Sequence, residues 1–227
     1  MRLKGPSIPH FILIGLVFSL TVLNGRPLWA AAESPPEPFP SFRTAIGVRG
    51  ANGFTADADV GSGFGGDVFL LRHLTGPVWV EVSAGLLRGS IQANPERFSG
   101  GDYRTMPLAL GLRVTPFKER VMPYLALGVD YVAVSYDPDA SVMAAWQQLG
   151  FTTEESVDST FGVHFGAGIL IPVSRTLYLN LEGRYTAANT SGTWRIRDMR
   201  SGVATEGSID DVKLGGFAVR YGIALAF

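Results

Sequence analysis

Alternating apolar and polar side chains predict an all-β chain, a single antiparallel transmembrane β-barrel of eight strands. Three observations carry this expectation. Period-two alternation recurs eight times, the outward sets of the central strands hold no charge, and the connections alternate between short and long. Composition agrees: hydrophobic residues make up 46% of the 227-residue chain, charged residues only 17%, and glycine is abundant at 28. No stretch after residue 32 reaches the ~18 uninterrupted apolar residues of a transmembrane helix, whereas an all-β protein facing lipid on one side has this composition.

The first 32 residues read as a cleaved signal peptide. Arg2 and Lys4 make a positive start, Phe11 to Leu23 is an apolar run too short to span comfortably, and Ala30, Ala31 and Ala32 supply the small residues a signal peptidase needs before Glu33. Residues 33–41 form a proline-rich lead-in outside the sheet, and residues 42–227 form the barrel. Cleavage removes Arg2, Lys4 and Arg26 and no acid, so 19 basic residues fall to 16 against 20 acidic ones. No basic surplus remains to attract nucleic acid. With no cysteine there is neither a disulfide framework nor a thiolate metal site.

The expected strands are Phe42–Ala51, Phe64–His73, Val78–Arg88, Met106–Thr115, Tyr124–Tyr136, Phe161–Ile171, Thr176–Ala187 and Leu214–Phe227. Each matches or slightly exceeds the roughly 9–11 residues with which a tilted strand crosses a bilayer. Outward sets are Val78, Val80, Val82, Ala84 and Leu86 on the third strand and Leu108, Leu110, Leu112 and Val114 on the fourth. Leu125, Leu127, Val129 and Tyr131 continue them on the fifth, Val163, Phe165, Ala167, Ile169 and Ile171 on the sixth, and Leu177, Leu179, Leu181 and Tyr185 on the seventh. Their freedom from charge fits lipid contact, because a charge at the bilayer midplane costs about 2–4 kcal/mol. Tyr103, Tyr124, Tyr136 and Phe227 fall near strand ends, where aromatic girdles sit.

The links around residues 74–77, 116–122 and 172–175 are short, and those around 52–63, 89–105, 137–160 and 188–213 are long. Short periplasmic turns and long outer loops are the pattern of an outer-membrane barrel. A soluble sandwich has no reason to gather every long link at one end.

The last strand alternates through Phe217, Val219, Tyr221, Ile223, Leu225 and Phe227. It resembles the C-terminal signature that bacterial outer-membrane barrels present to the barrel-assembly machinery, with Tyr221, Ile223, Leu225 and Phe227 as the assembly signal. Residues 123–131 (PYLALGVDY), 161–185 and 219–227 (VRYGIALAF) resemble the small eight-stranded OmpA, OmpX and OmpW barrels, leaning toward OmpW. The resemblance implies residence in the outer membrane of a Gram-negative bacterium, reached through the periplasm, with outer-membrane lipids and lipopolysaccharide as neighbours. It implies no cofactor. Function does not follow from it, because these barrels do several jobs on one scaffold.

The inward positions carry matched charges: Arg49, Arg113, Arg184 and Arg220 against Asp67, Glu81, Asp130 and Glu182, with His164 beside them. Eight strands enclose a space that side chains alone can fill. Paired charge-assisted hydrogen bonds are therefore expected to plug and rigidify the lumen, with a polar solute track as the alternative. A catalytic reading would join His164 and Glu182, whose strands share a short turn, to a serine, as in outer-membrane lipid A deacylases. The chain departs from that pattern with Gly166 two residues after His164 and Ser159 five before it, so the cluster reads as structural. Gly61 to Gly66 satisfies G-x-G-x-x-G, but a strand follows where phosphate binding needs a helix.

In the third long link, Asp139 is expected to cap a short helix reaching Leu149, with Gly150 ending it. Val142, Met143, Trp146 and Leu149 would share one face, either packing on the barrel mouth or lining a vestibule for a small hydrophobic solute, which the OmpW resemblance implies. Arg195, Arg197 and Arg200 in the fourth link are candidates for lipid phosphates. The sequence therefore supports a non-enzymatic barrel for small-solute binding or passage. The alternatives are a closed barrel contacting lipopolysaccharide, host or phage, and, third, a lipid hydrolase. No metal cluster is expected, since the three histidines are scattered.

Overall fold

The computed structural model describes residues 42–55, 61–92, 100–116 and 121–227; the expected signal peptide and lead-in lie outside the described residues. The elements are β1 (Thr44–Thr55), β2 (Gly63–Thr75), β3 (Val78–Ile91), β4 (Gly101–Val114), β5 (Met122–Pro138), α1 (Ala140–Gln148), β6 (Phe151–Val157), β7 (Thr160–Pro172), β8 (Leu177–Asp198), β9 (Ala204–Lys213) and β10 (Gly216–Ala226). Eight strands close an antiparallel ring in the order β1, β2, β3, β4, β5, β7, β8, β10 and back to β1. The closing seam runs from Ala45 opposite Ala226 to Thr55 opposite Gly216. Phe227 extends it, its carbonyl accepting the Thr44 N–H at 3.1 Å and its own N–H reaching the Thr44 carbonyl at 2.9 Å.

The faces follow the alternation. Leu108, Leu127, Phe165, Leu181 and Ile223 stand exposed around the outside, while Arg49, Glu81, Arg113 and Glu182 are buried inside. Leaving large apolar side chains uncovered around a whole ring is tolerable only where lipid covers them.

Two corrections concern the outer end. Residues 188–213 are not an open loop: β8 runs on for 22 residues to Asp198, and β9 returns along it. β6 pairs the other edge of the same extension, so three strands rise above the ring. β6 and β9 are upward continuations of ring strands, each slipped by one residue. Val157 faces Gly192 where the β7 register would bring Asp158, and Ile209 faces Gly192 where the β10 register would bring Asp210. The second slip is a bulge at Asp211, whose φ of 57° is one that aspartate tolerates better than most residues.

The abundant glycine has a packing cause. Bulky lumen side chains lie across glycines on neighbouring strands: Phe69 over Gly47, Tyr124 over Gly168, and His164 over Gly128. A Cβ on Gly168 would sit 2.5 Å from both the Tyr124 ring and the Leu181 carbonyl oxygen. Gly168→Val is therefore expected to destabilise the barrel by about 1–3 kcal/mol, as overpacking does. At Gly53 a Cβ meets nothing nearer than 3.8 Å, so Gly53→Ala should unfold at the wild-type urea midpoint. Coincident midpoints for Gly168→Val and wild type would refute this packing account.

Candidate functional site: a charge-filled lumen and the chamber above it

All nine lumen residues expected from the sequence are buried. Four guanidiniums converge on three carboxylates from different strands. Arg49 donates to Asp67 at 2.7 and 2.9 Å, to Glu81 at 2.6 Å and to Glu182 at 3.1 Å. Arg113 bonds Glu182 at 3.1 Å and is ion-paired with Glu81. Arg184 donates to Glu182 at 2.6 Å and Glu81 at 3.3 Å, and Arg220 reaches Glu182 at 3.3 Å and pairs with Asp67. Glu182 thus meets all four arginines and also accepts the Tyr124 hydroxyl at 2.8 Å. Desolvating so many charges is tolerable because each carboxylate is multiply bonded by charged donors.

His164 is placed differently from the catalytic reading. Its Nδ1 lies 2.9 Å from Asp130 Oδ2. It does not sit opposite or diagonal to Glu182, because the β7–β8 register puts His164 against Thr186 and Glu182 against Gly168. Ser159 accepts the Val134 N–H at 3.3 Å instead.

Sequence reading missed the aromatic partners of this network. Tyr124 and Tyr103, expected in girdles, point inward and are buried. Arg49 lies over the Phe69 ring at 4.1 Å and Arg113 over the Tyr124 ring at 4.1 Å, and for Arg113 the cation–π contact stands where hydrogen bonds run short. Asn180 donates to the Tyr124 hydroxyl at 2.7 Å. The signal was available: Tyr124 shares strand phase with Asp130, and Asn180 with Glu182.

The network is the middle layer of three. Toward the short turns, Phe42, Leu71, Trp79, Met122, Leu170 and Tyr178 form an apolar plug, with the Phe42 ring 5.0 Å from Trp79 and from Tyr178. Toward the outer mouth, Ile91, Tyr103, Val157, Ile209 and Val212 form a second apolar cluster. On the outer side of the charge layer lies a chamber of about 100 Å³. Asp67, Asp130, Arg184 and Arg220 are its charged lining, Ser83, Thr105 and Thr186 add hydroxyls, and Leu87, Pro107, Val132, Leu214 and Ala218 are among its apolar walls. Its wall has a weak stretch. β3–β4 pairing stops at Ala84 opposite Leu108 and resumes at Leu87 opposite Thr105, around Pro107, which has no N–H to give.

The outer helix forms as expected. Asp139 accepts the Ser141 N–H at 2.8 Å, and its bonds to Ser141 hold its carboxyl below the ordinary value. The Met143 sulfur accepts the Thr153 hydroxyl at 2.8 Å, and the Trp146 ring meets Phe151 edge-on at 5.9 Å. Phe151 and Thr153 share a face of β6 with buried Val157, so α1 packs on the mouth side of the extension. Val142 is half-buried, but Leu149 caps the helix and stands exposed, outside the shared face expected for it. Arg195, rather than standing free, bonds Glu206 at 2.6 Å.

A closed ring with a lipid-facing apolar belt, internally paired charges and tall strands on one side defines a membrane-spanning β-barrel. Residues 26–222 match the family model of the outer membrane protein beta-barrel domain, and the chain belongs to that family of outer-membrane proteins. Among solved structures it is similar to the outer membrane protein OprG from Pseudomonas aeruginosa, at 15% identity and a TM-score of 0.64, covering 82% of this chain and 96% of that one. It is also similar to E. coli outer membrane protein W, at 15% identity and a TM-score of 0.49 over 82% and 98% of the two chains. Neisserial surface protein A shares 12% identity and a TM-score of 0.48 over 81% and 97%. Comparison with curated proteins finds no match.

Proposed function

We propose that this barrel is a non-enzymatic binder of small amphipathic solutes, taken up on its outer side. The observation that carries the reading is the chamber between the charge layer and the outer apolar cluster, with apolar walls and a lining of two carboxylates and two guanidiniums. Such a lining suits a molecule of a few heavy atoms with an apolar body and one polar end. The charge network and the apolar plug of Phe42, Trp79 and Tyr178 lie beneath the chamber. Exchange with the bilayer is easiest at Gly85 and Pro107, where the wall has lost ladder bonds. The non-enzymatic part rests on Ser159 bonding the Val134 backbone, which leaves the His164–Asp130 pair without the serine a hydrolase would need from that position.

Calorimetric titration of the folded protein with butanol, butyrate and butylamine tests the proposal. Saturable heat is expected for at least one of them, and Ala218→Phe, which fills the chamber, should abolish it. Absence of saturable heat, or identical heat from the filled variant, would overturn the reading. The second reading, a closed barrel that displays its outer segments to other surfaces, would then stand, favoured by the three-stranded extension above the mouth.

A further inference from the structure

The lipid-facing side of β3 and β4 carries an arrangement that the lumen does not explain. Arg88 and Arg104 are directly opposite each other in the register, and both are exposed on the outward face. Their neighbours Leu87 and Thr105 point the other way, Leu87 lining the chamber and Thr105 buried beside it. Like charges placed opposite each other across a ladder repel, and this costs stability unless an anion joins them. Toward the membrane on the same face come Leu86 and Met106, then a groove of about 530 Å³ whose lining includes Val68, Val82, Ala84, Leu108, Val129 and Tyr131. The small Ala84 among larger neighbours makes the hollow. Away from the membrane, Asp102 stands opposite Asp137, also facing outward. Arg104 lies 3.8 Å from Asp137, but both are more than half exposed, where such a pair contributes little.

The order along the barrel wall is thus apolar groove, guanidinium pair, carboxylate pair. The geometry points to a docking site for a phosphorylated, acylated glycolipid of the outer leaflet. Acyl chains lie in the groove, a phosphate bridges Arg88 and Arg104, and sugar hydroxyls donate to Asp102 and Asp137. Guanidiniums suit the phosphate because their fork matches its oxygens. The site is independent of the chamber, because Arg88 and Arg104 face the opposite side of the wall.

The test uses the folded barrel in phosphatidylcholine nanodiscs, with retained lipid counted by native mass spectrometry. The probes are diphosphorylated lipid A, the same lipid without phosphates, phosphatidylglycerol and inorganic phosphate. Wild type should retain the diphosphorylated lipid, and Arg88→Ala with Arg104→Ala should weaken retention about ten-fold or more. The paired lysine variant should keep part of the binding, and Ala84→Phe should weaken it with the charges intact. Arg175→Ala, in the short turn between β7 and β8, should leave it unchanged. Gel mobility of unheated samples checks that each variant is folded. Equal retention by the double alanine variant would overturn the proposal. So would equal retention of the dephosphorylated lipid or of phosphatidylglycerol, or displacement by millimolar inorganic phosphate, which would mark a simple anion site.

Discussion

Glu182→Ala is expected to be the most destabilising single substitution in the barrel, at about 3–5 kcal/mol, because it strands charges already taken out of water. Glu182 touches Arg49, Arg113, Arg184, Arg220 and Tyr124. Without it, four guanidiniums share Asp67 and Glu81, and Arg113, whose Nε and Nη1 already lack hydrogen-bond partners, loses its hydrogen bond to Glu182 and keeps the ion pair with Glu81. Glu182→Gln should cost less, since the amide oxygen still accepts from some of the donors. Glu154→Gln makes the contrast: Glu154 lies 4.0 Å from Arg195 and is 79% exposed, so its loss should stay within about 0.5 kcal/mol. Urea unfolding in micelles, followed by gel mobility of unheated samples, measures all three. If Glu182→Ala and Glu154→Gln unfold at one midpoint, the lumen is hydrated well enough to screen its charges, and the network is not what holds the ring.

Much of this layer is legible in the amino-acid sequence, for one reason. A charge on the lipid side of a strand is costly, so the phase of each apolar alternation also settles where the charges go. That argument puts Arg49, Asp67, Glu81, Arg113 and Glu182 inside. It does not say who pairs with whom, because partner choice depends on register across strands distant in sequence. His164 and Asp130, 34 residues apart, meet through β5–β7 pairing, while the nearer candidate Glu182 is bonded elsewhere. Aromatic residues at strand ends are misplaced for a related reason: Tyr103 and Tyr124 suit either a girdle or a lumen, and position near an end does not choose. β6 and β9 are hidden because a one-residue slip inverts the alternation on either side of it, and because strands standing outside the bilayer need no apolar face. The proposed docking pair Arg88 and Arg104 is invisible for want of the β3–β4 register, which alone places them opposite each other.

Opening the lumen below the chamber should require breaching two layers, and this gives the largest expected change in conductance. The wild type in planar bilayers is expected to show no porin-sized steps. Eight strands leave an interior that side chains fill, and here they fill it first with the charge network and then with Phe42, Leu71, Trp79, Met122, Leu170 and Tyr178. A hydrated charge layer would pass counterions, but these charges are buried and paired with one another, so they hold one another in place of a passing ion. An apolar plug stops ions too, because an ion entering it loses water and finds no substitute. Trp79→Ala with Tyr178→Ala should therefore open the inner layer yet remain nearly silent, as the network still spans the lumen. Glu182→Ala alone should be silent too, because the plug lies beneath it. Combining all three substitutions with Tyr103→Ala and Ile209→Ala, which thin the outer cluster, should produce ion flow, with anions favoured because the arginines then outnumber the carboxylates. Stable porin-sized conductance from the wild type would overturn the two-layer account. Conductance from the plug variant alone would show the network to be permeable, leaving the apolar layer as the barrier.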